Sequence, residues 1–350
     1  MKYITNESMM LHETKQEGIV ISVTDSELIT IEEKEEEILA IIKAFVEPGT
    51  IEQGYIRASE ENYIDEIEYQ DCVEFMLANN MLKTYKEDEE SCLTPYQLDK
   101  YTRQISSLNS LKGVERDEAE KMQKKICDST VCLLGAGGIG SYLALALVSF
   151  GVEKLILVDF DKIELSNTSR QILYDETDVG KYKVDVAKEK LLKYNSNLQI
   201  DTYNVYIQSA EDLLFLKTYD LDLLVLCADT PRGEIQYIAD EVAHLNNVPW
   251  FCYGPYNHSQ IAMGPMIIPG KTKSYAALYP HEVSAFSESV VDINKHFVAS
   301  ICDPYNGFAS QFAAIEAFKY LSGVRKPALV NKRFYIDTDL WSVECEEYAE

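Results

Sequence analysis

Short apolar runs and amphipathic stretches alternate along the chain, and the alternation changes character near residue 130. In the first part, residues 19–24 form a β-branched run that predicts a short strand. Residues 31–45 place Ile38, Leu39, Ile41, Ile42 and Phe45 at helical spacing behind an acidic first turn, which suits the positive end of a helix dipole. Pro48-Gly49 predicts the end of that helix. Residues 69–85 predict a second helix, its apolar face formed by Val73, Phe75, Met76, Leu77, Met81 and Leu82. Strand, helix and helix at this length suit a winged-helix-like α+β domain over residues 1–90. The charged run 86–91 reads as a solvated linker into a second domain, residues 91–350.

Beyond residue 130 the pattern becomes strand followed by helix. Residues 130–134, 154–158 and 221–227 are apolar runs, each followed by a turn and a helical stretch, of which 141–150 and 183–192 are the clearest. This order predicts βαβ units and a parallel sheet, an α/β class of Rossmann type. Residues 250–253 and 260–268 read as further strands and 306–321 as a late helix.

Charge narrows the function. Against 32 basic residues stand 58 acidic ones, a net −26, and residues 1–90 alone hold 23 acidic and 7 basic side chains. Such a surface repels phosphate backbones, so neither nucleic acid nor an anionic membrane is expected as a partner. The eight cysteines form no C-x-x-C pair; Cys132, Cys227 and Cys252 lie in apolar runs and read as core residues. The N-terminus lacks a signal-peptide apolar segment and no run of about 18–20 apolar residues occurs, so a reduced, cytoplasmic protein is expected.

Chemistry first shows at Gly135-Ala-Gly137-Gly138-Ile-Gly140, a G-x-G-x-x-G between a predicted strand and helix. Glycines permit the tight turn and close backbone approach, and the helix start offers unpaired N–H groups to phosphate. Asp159 ends the next strand, where a carboxylate suits a ribose hydroxyl. These features serve a dinucleotide-dependent dehydrogenase and an ATP-using adenylating enzyme alike. The following segment separates them, because ATP chemistry demands cations around a triphosphate.

That segment, Asp159-Phe-Asp161-Lys-Ile-Glu-Leu-Ser166-Asn167-Thr-Ser-Arg170-Gln171, resembles the signature of the ThiF/MoeB/E1-like adenylating family. The resemblance continues through Asp178-Val-Gly180-Lys-Tyr-Lys183, Cys227-Ala-Asp229 and, upstream, Tyr101-Thr-Arg103-Gln104, and covers roughly residues 96–340. The N-terminal domain, with Gly264-Pro265 and Pro269-Gly270-Lys271-Thr272, is most similar to peptide-modifying members, of the microcin C maturase and pantocin-enzyme types. The resemblance implies ATP and Mg²⁺ as cofactors. Gly135, Gly137, Gly138 and Gly140 would cradle phosphate and Asp159 would hold the ribose. Asn167, Arg170, Gln171 and Lys183 would surround the phosphates, and Asp229 would ligate Mg²⁺. In a homodimer, Arg103 would reach the partner's site. Arg170, Lys183, Asp229 and Arg103 are therefore the expected catalytic residues, with Asp161 a further candidate and Glu164 a loop acid.

Two departures shape the expected activity. Many relatives hold a structural zinc with two C-x-x-C pairs, but here Ser274-Tyr-Ala-Ala277 replaces the first and only Cys345 stands near the C-terminus; no zinc is expected. The five histidines, His12, His244, His258, His281 and His296, show no metal-ligand spacing. No cysteine falls between Lys271 and Ser300, where thioester-forming relatives carry theirs, and Cys302 reads as structural. The expectation is adenylation of a carboxyl or carboxamide of a ribosomally made precursor peptide, in peptide antibiotic biosynthesis. It would lead to nucleotide attachment or to ring closure, between which these residues do not choose. The N-terminal domain would clamp the peptide. The alternative is adenylation of the C-terminus of a ubiquitin-like sulfur carrier.

Overall fold

The computed structural model describes residues 1–14, 18–31, 36–60, 63–86, 90–255, 259–280 and 301–349. Residues 87–89 of the 86–91 linker, the segment 281–300, and His258, His281 and His296 lie outside them. The chain divides into two compact units, Met1–Lys124 and Lys125–Glu350.

The first unit is α+β. Strands β1 (Lys2–Thr5) and β5 (Leu82–Tyr85) pair antiparallel, and β2 (Met10–Glu13), β3 (Ile19–Ser22) and β4 (Ile29–Ile31) form a three-stranded antiparallel sheet. Helices α1 (Glu36–Ala44), α2 (Ile51–Ala58) and α3 (Glu66–Ala78) join α4 (Pro95–Lys100), α5 (Thr102–Asn109) and the start of α6 (Arg116–Asp128). Its core gathers Ile19, Ile21, Ile41, Ile42, Phe45, Tyr69, Val73, Met76 and Met81.

The single helix expected over 69–85 is instead α3 followed by β5. Asn80 sits at φ 59° and turns the chain, so Met81 and Leu82 reach the core from beyond the helix, while Phe75 and Leu77 face solvent. Apolar residues alone could not mark that break. Helix α2, with few apolar residues, is set by its capping box: the Thr50 hydroxyl accepts from the Gln53 N–H and the Gln53 side chain accepts from the Thr50 N–H.

The second unit is built on an eight-stranded sheet. In chain order its elements are β6 (Thr130–Leu134), α7 (Gly138–Phe150), β7 (Lys154–Val158), α8 (Lys183–Tyr194), β8 (Gln199–Tyr203), β9 (Leu223–Leu226) and α9 (Ile235–Asn246). Then follow β10 (Trp250–Pro255), β11 (Gln260–Ile267), α10 (Tyr275–Leu278), α11 (Asp303–Ser322), β12 (Lys332–Asp337) and β13 (Ser342–Glu347). The strand order is β13-β12-β11-β10-β9-β6-β7-β8, parallel from β10 to β8 and antiparallel from β10 to β13.

Alternate residues of the parallel strands feed two cores. Val131, Leu133, Leu155, Leu157, Leu223 and Val225 pack with α7, α8 and α11. Cys132, Leu134, Ile156, Val158, Leu224 and Leu226 pack with α9 and the 3₁₀ segment Ala210–Thr218. Covering both faces explains why these strands are apolar without alternation. From β6 the chain winds outward to β7 and β8, then returns to β9 on the other side of β6. That reversal opens a crevice at the carboxyl ends of β6, β7 and β9, the place where doubly wound sheets bind ligands.

Candidate active site

The glycine loop occupies that crevice. Gly135 has φ 104°, and a Cβ there would lie 2.7 Å from the Cys227–Ala228 backbone. A Cβ on Gly140 would come within 2.1 Å of the Gly135 carbonyl oxygen, and one on Gly138 within 2.7 Å of Asn306 Nδ2. Gly137 differs: the nearest atom to its Cβ position, Gln171 Nε2, is 3.7 Å away. Gly137 also caps α7 without any side-chain hydrogen bond, so the first turn's N–H groups are left for an anion.

Asp159, at the end of β7, is buried, and both its oxygens accept backbone hydrogen bonds at 2.8 Å, Oδ2 from the Ala136 N–H and Oδ1 from the Asp161 N–H. Burial pushes its carboxyl above the ordinary range, against the opposing pull of Lys183 and of those two N–H groups. Lys183 opens α8 with only 5% of its surface exposed, and its Nζ donates to Asp161 Oδ2 at 2.7 Å. Asp161 thereby pairs with the buried Lys183 side chain.

The Ser166–Gln171 segment begins with a 3₁₀ turn, Leu165–Ser169, capped at Glu164, whose N–H donates to Asn167 Oδ1 at 3.1 Å. The Glu164 carboxylate accepts from the Ser166 hydroxyl at 3.3 Å. Asn167 and Gln171 are buried, and Gln171 Oε1 has no hydrogen-bond partner among the described residues. Arg170 is part-exposed and donates through Nη1 to the Ser166 carbonyl at 2.6 Å. Before α8, Asp178 accepts from Lys181 and Lys190, and Asp175 from Lys190, which fixes the approach to Lys183.

Asp229 follows β9, exposed, one residue past the Ala228 backbone that lies against Gly135. One of its oxygens accepts from the Thr230 hydroxyl at 3.2 Å. The glycine loop is thus met by Asp159 through the Ala136 N–H, by Gln171 Nε2 near Gly137 and by the Cys227–Ala228 backbone just ahead of Asp229, while Lys183 is joined to Asp161. Arg103 belongs to the other compact unit, exposed on α5.

These residues fit a nucleoside triphosphate. The loop holds a glycine-sized cradle, an orphaned buried amide oxygen awaits a donor, and Asp229 offers oxygen to a hard cation. Mg²⁺ takes few protein carboxylates. Among the described residues no three His, Cys, Asp or Glu side chains gather around a common point.

Three residues escaped sequence reading. Tyr174 donates to the Ala136 carbonyl at 2.7 Å from full burial. Ser310 donates to the Ile139 carbonyl at 3.0 Å, and Asn306 Nδ2 donates to the Arg170 carbonyl at 3.2 Å. The signal for the last two was a polar residue inside the apolar stripe of helix 306–321. Cys302 needs correcting: it is exposed at the N-cap of α11, so packing does not account for it. Cys132 and Cys227 are buried as expected, and burial pushes the Cys227 thiol up to about 12.

Fold and crevice together define a doubly wound α/β protein with a glycine loop at the switch point of its sheet. Residues 101–348 match the ThiF family, and the chain belongs to it. MccB of E. coli, solved with ATP, superposes with a TM-score of 0.81 at 25% identity, covering 100% of this chain and 97% of that one. The same enzyme solved with AMPCPP and MccA gives 0.79 at 25%, covering 100% and 98%. PaaA shares the fold, with a TM-score of 0.77 at 24% identity over 98% of this chain and 99% of that one. The adenylyltransferase and sulfurtransferase UBA4 of Scheffersomyces stipitis is 29% identical over 68% of this chain, which spans only 49% of its length. No helix among the described residues is long and apolar enough to cross a membrane.

Proposed function

We propose that the protein adenylates a carboxyl or carboxamide group of a ribosomally made peptide, using Mg-ATP. One observation carries the peptide reading. The family domain begins at residue 101, yet the likeness to MccB, a protein solved with MccA, runs through the whole chain, N-terminal unit included.

In this reading the α7 N-terminus and glycine loop hold phosphate, and Asp159 accepts a ribose hydroxyl beside its two backbone donors. Asp229 would hold Mg²⁺, which supplies positive charge to the phosphate oxygens. A substrate carboxylate oxygen bonds to the α-phosphorus while the bond to the β-phosphate oxygen breaks, and pyrophosphate leaves with that electron pair. Two anions must meet for this, so the chain's work is electrostatic and positional. Arg170 grips phosphate oxygens through parallel N–H bonds, and Lys183 contributes a point charge held in place by Asp161. The acyl adenylate then either keeps its nucleotide or is attacked at its carbonyl carbon by a neighbouring amide nitrogen, which gives up its proton as the acyl–oxygen bond breaks and AMP leaves. The N-terminal unit, whose strands include open edges, clamps the peptide by strand addition, and its acidity favours a leader that is not itself acidic.

A second reading rests on UBA4, whose name pairs adenylyltransferase with sulfurtransferase. There the substrate would be a folded, Gly-Gly-ended carrier protein. Pyrophosphate release from Mg-ATP, measured with short peptides encoded beside the gene and with such a carrier, separates the two. Peptide-dependent release, abolished by Asp229→Ala and accompanied by a mass change of the peptide, is expected. Release with the carrier alone would transfer the assignment to sulfur-carrier activation.

A further inference from the structure

Helix α11 carries a polar stripe on the side that faces the nucleotide crevice. Asp303, Asn306 and Ser310 follow one another at helical spacing, and each touches the phosphate-binding segments. The Tyr142 hydroxyl donates to Asp303 Oδ1, Asn306 donates to the Arg170 carbonyl, and Ser310 donates to the Ile139 carbonyl. Asn306 is 2% exposed, and its side-chain amide lies where a Cβ on Gly138 would be, 2.7 Å from Nδ2. A buried amide costs free energy unless its hydrogen bonds are made.

The bond to Arg170 has a specific consequence. The carbonyl of Arg170 and the N–H of Gln171 belong to one peptide plane. Asn306 holds the carbonyl, and the Asn167 carbonyl accepts the Gln171 N–H at 3.0 Å. Both ends of that plane are pinned, which fixes the directions in which the Arg170 and Gln171 side chains leave the backbone. Arg170 itself, at φ −153° and ψ 7°, is the C-cap of the 3₁₀ turn, and its N–H donates to the Asn167 carbonyl at 3.0 Å.

We infer that Asn306 is a positioning residue for nucleotide binding: it fixes the Arg170–Gln171 peptide and thereby aims Arg170 at the phosphates. The inference rests on the adenylating reading of the crevice. It assigns no contact between Asn306 and the nucleotide, so its effect must pass through Arg170.

A double-mutant cycle tests it in the full chain, reading the Mg-ATP dissociation constant by calorimetry, with no peptide needed. Asn306→Ala should weaken binding about tenfold, near the upper end of what one hydrogen bond supplies. In an Arg170→Ala background the same change should cost less than twofold, because the group it aims is gone. Asn306→Asp keeps the volume but loses the donor, and should behave like alanine; Asn306→Ser, which keeps a donor, should recover part of the loss. Equal losses in both backgrounds would reduce Asn306 to general structural support and overturn the inference, as would an unchanged constant in Asn306→Ala. Failure of the unmutated protein to bind Mg-ATP would instead refute the adenylating reading on which it stands.

Discussion

At the scale of single residues, the site is a set of side chains held in electrostatically awkward places. Asp159 shows this best, since burial raises its carboxyl while two backbone N–H groups and Lys183 pull the other way. A carboxyl whose folded pKa exceeds the unfolded value of about 3.9 binds protons more readily in the native state. Its stabilising contribution is therefore complete at low pH and declines as pH rises through the folded value. Denaturant unfolding of the wild type and of Asp159→Asn between pH 4 and 7 should show the wild type gaining relative stability on acidification. A difference that moves the other way would mean the backbone donors and Lys183 outweigh burial. Asp159 was singled out by its distance from the glycine loop at a strand end, whereas Arg170 and Lys183 were singled out through the family resemblance. Asn306 and Tyr174 were not, because their roles depend on carbonyls far away in sequence.

At the scale of elements, the strands and helices around the crevice could be read from the chain, since a strand buried on both faces and a helix after a glycine loop leave strong local patterns. Elements without such patterns were missed. Strand β13 is exposed along its whole length, and β12 is only partly covered. The junction at residue 90 was inferred from a charged run, but the compact unit extends to Lys124. The reason lies in buried amides and one lysine. Asn6 Nδ2 donates to the carbonyls of Asn80 and Ser110, Asn80 Nδ2 to those of Thr24 and Ser110, and Lys83 to those of Leu111 and Val114. These bonds tie the loop after α5 to β1, β5 and the turn before β5. Asn80→Ala removes two of them and places alanine at φ 59°, so it should destabilise this unit by about 3 kcal/mol. Hydrogen exchange should quicken within residues 1–124. Asn80→Gly, which tolerates that φ, isolates the hydrogen bonds; full recovery with glycine would show that backbone strain, not the bonds, dominates.

At the scale of the whole molecule, Arg103 stands on the N-terminal unit, whereas Arg170 and Lys183 belong to the second unit. In the homodimer that the family resemblance implies, it would complete the site of the partner subunit, which a symmetric pair allows in both directions. Mixing separately inactive variants decides the matter. Arg103→Ala should lose at least about a hundredfold in pyrophosphate release, as removal of a charge-stabilising donor does elsewhere, and Asp229→Ala should be inactive. If Arg103 acts across the dimer, a mixed dimer contains one site with an intact Asp229 and an intact Arg103, and one site lacking both. Random re-association then gives mixed dimers in half the population, each with one working site, so activity should return to about a quarter of the wild type. If Arg103 serves its own subunit, every site in the mixture lacks one group and nothing returns. A sedimentation profile that shows only monomers would remove the dimer from the proposal and leave Arg103 without a site to complete.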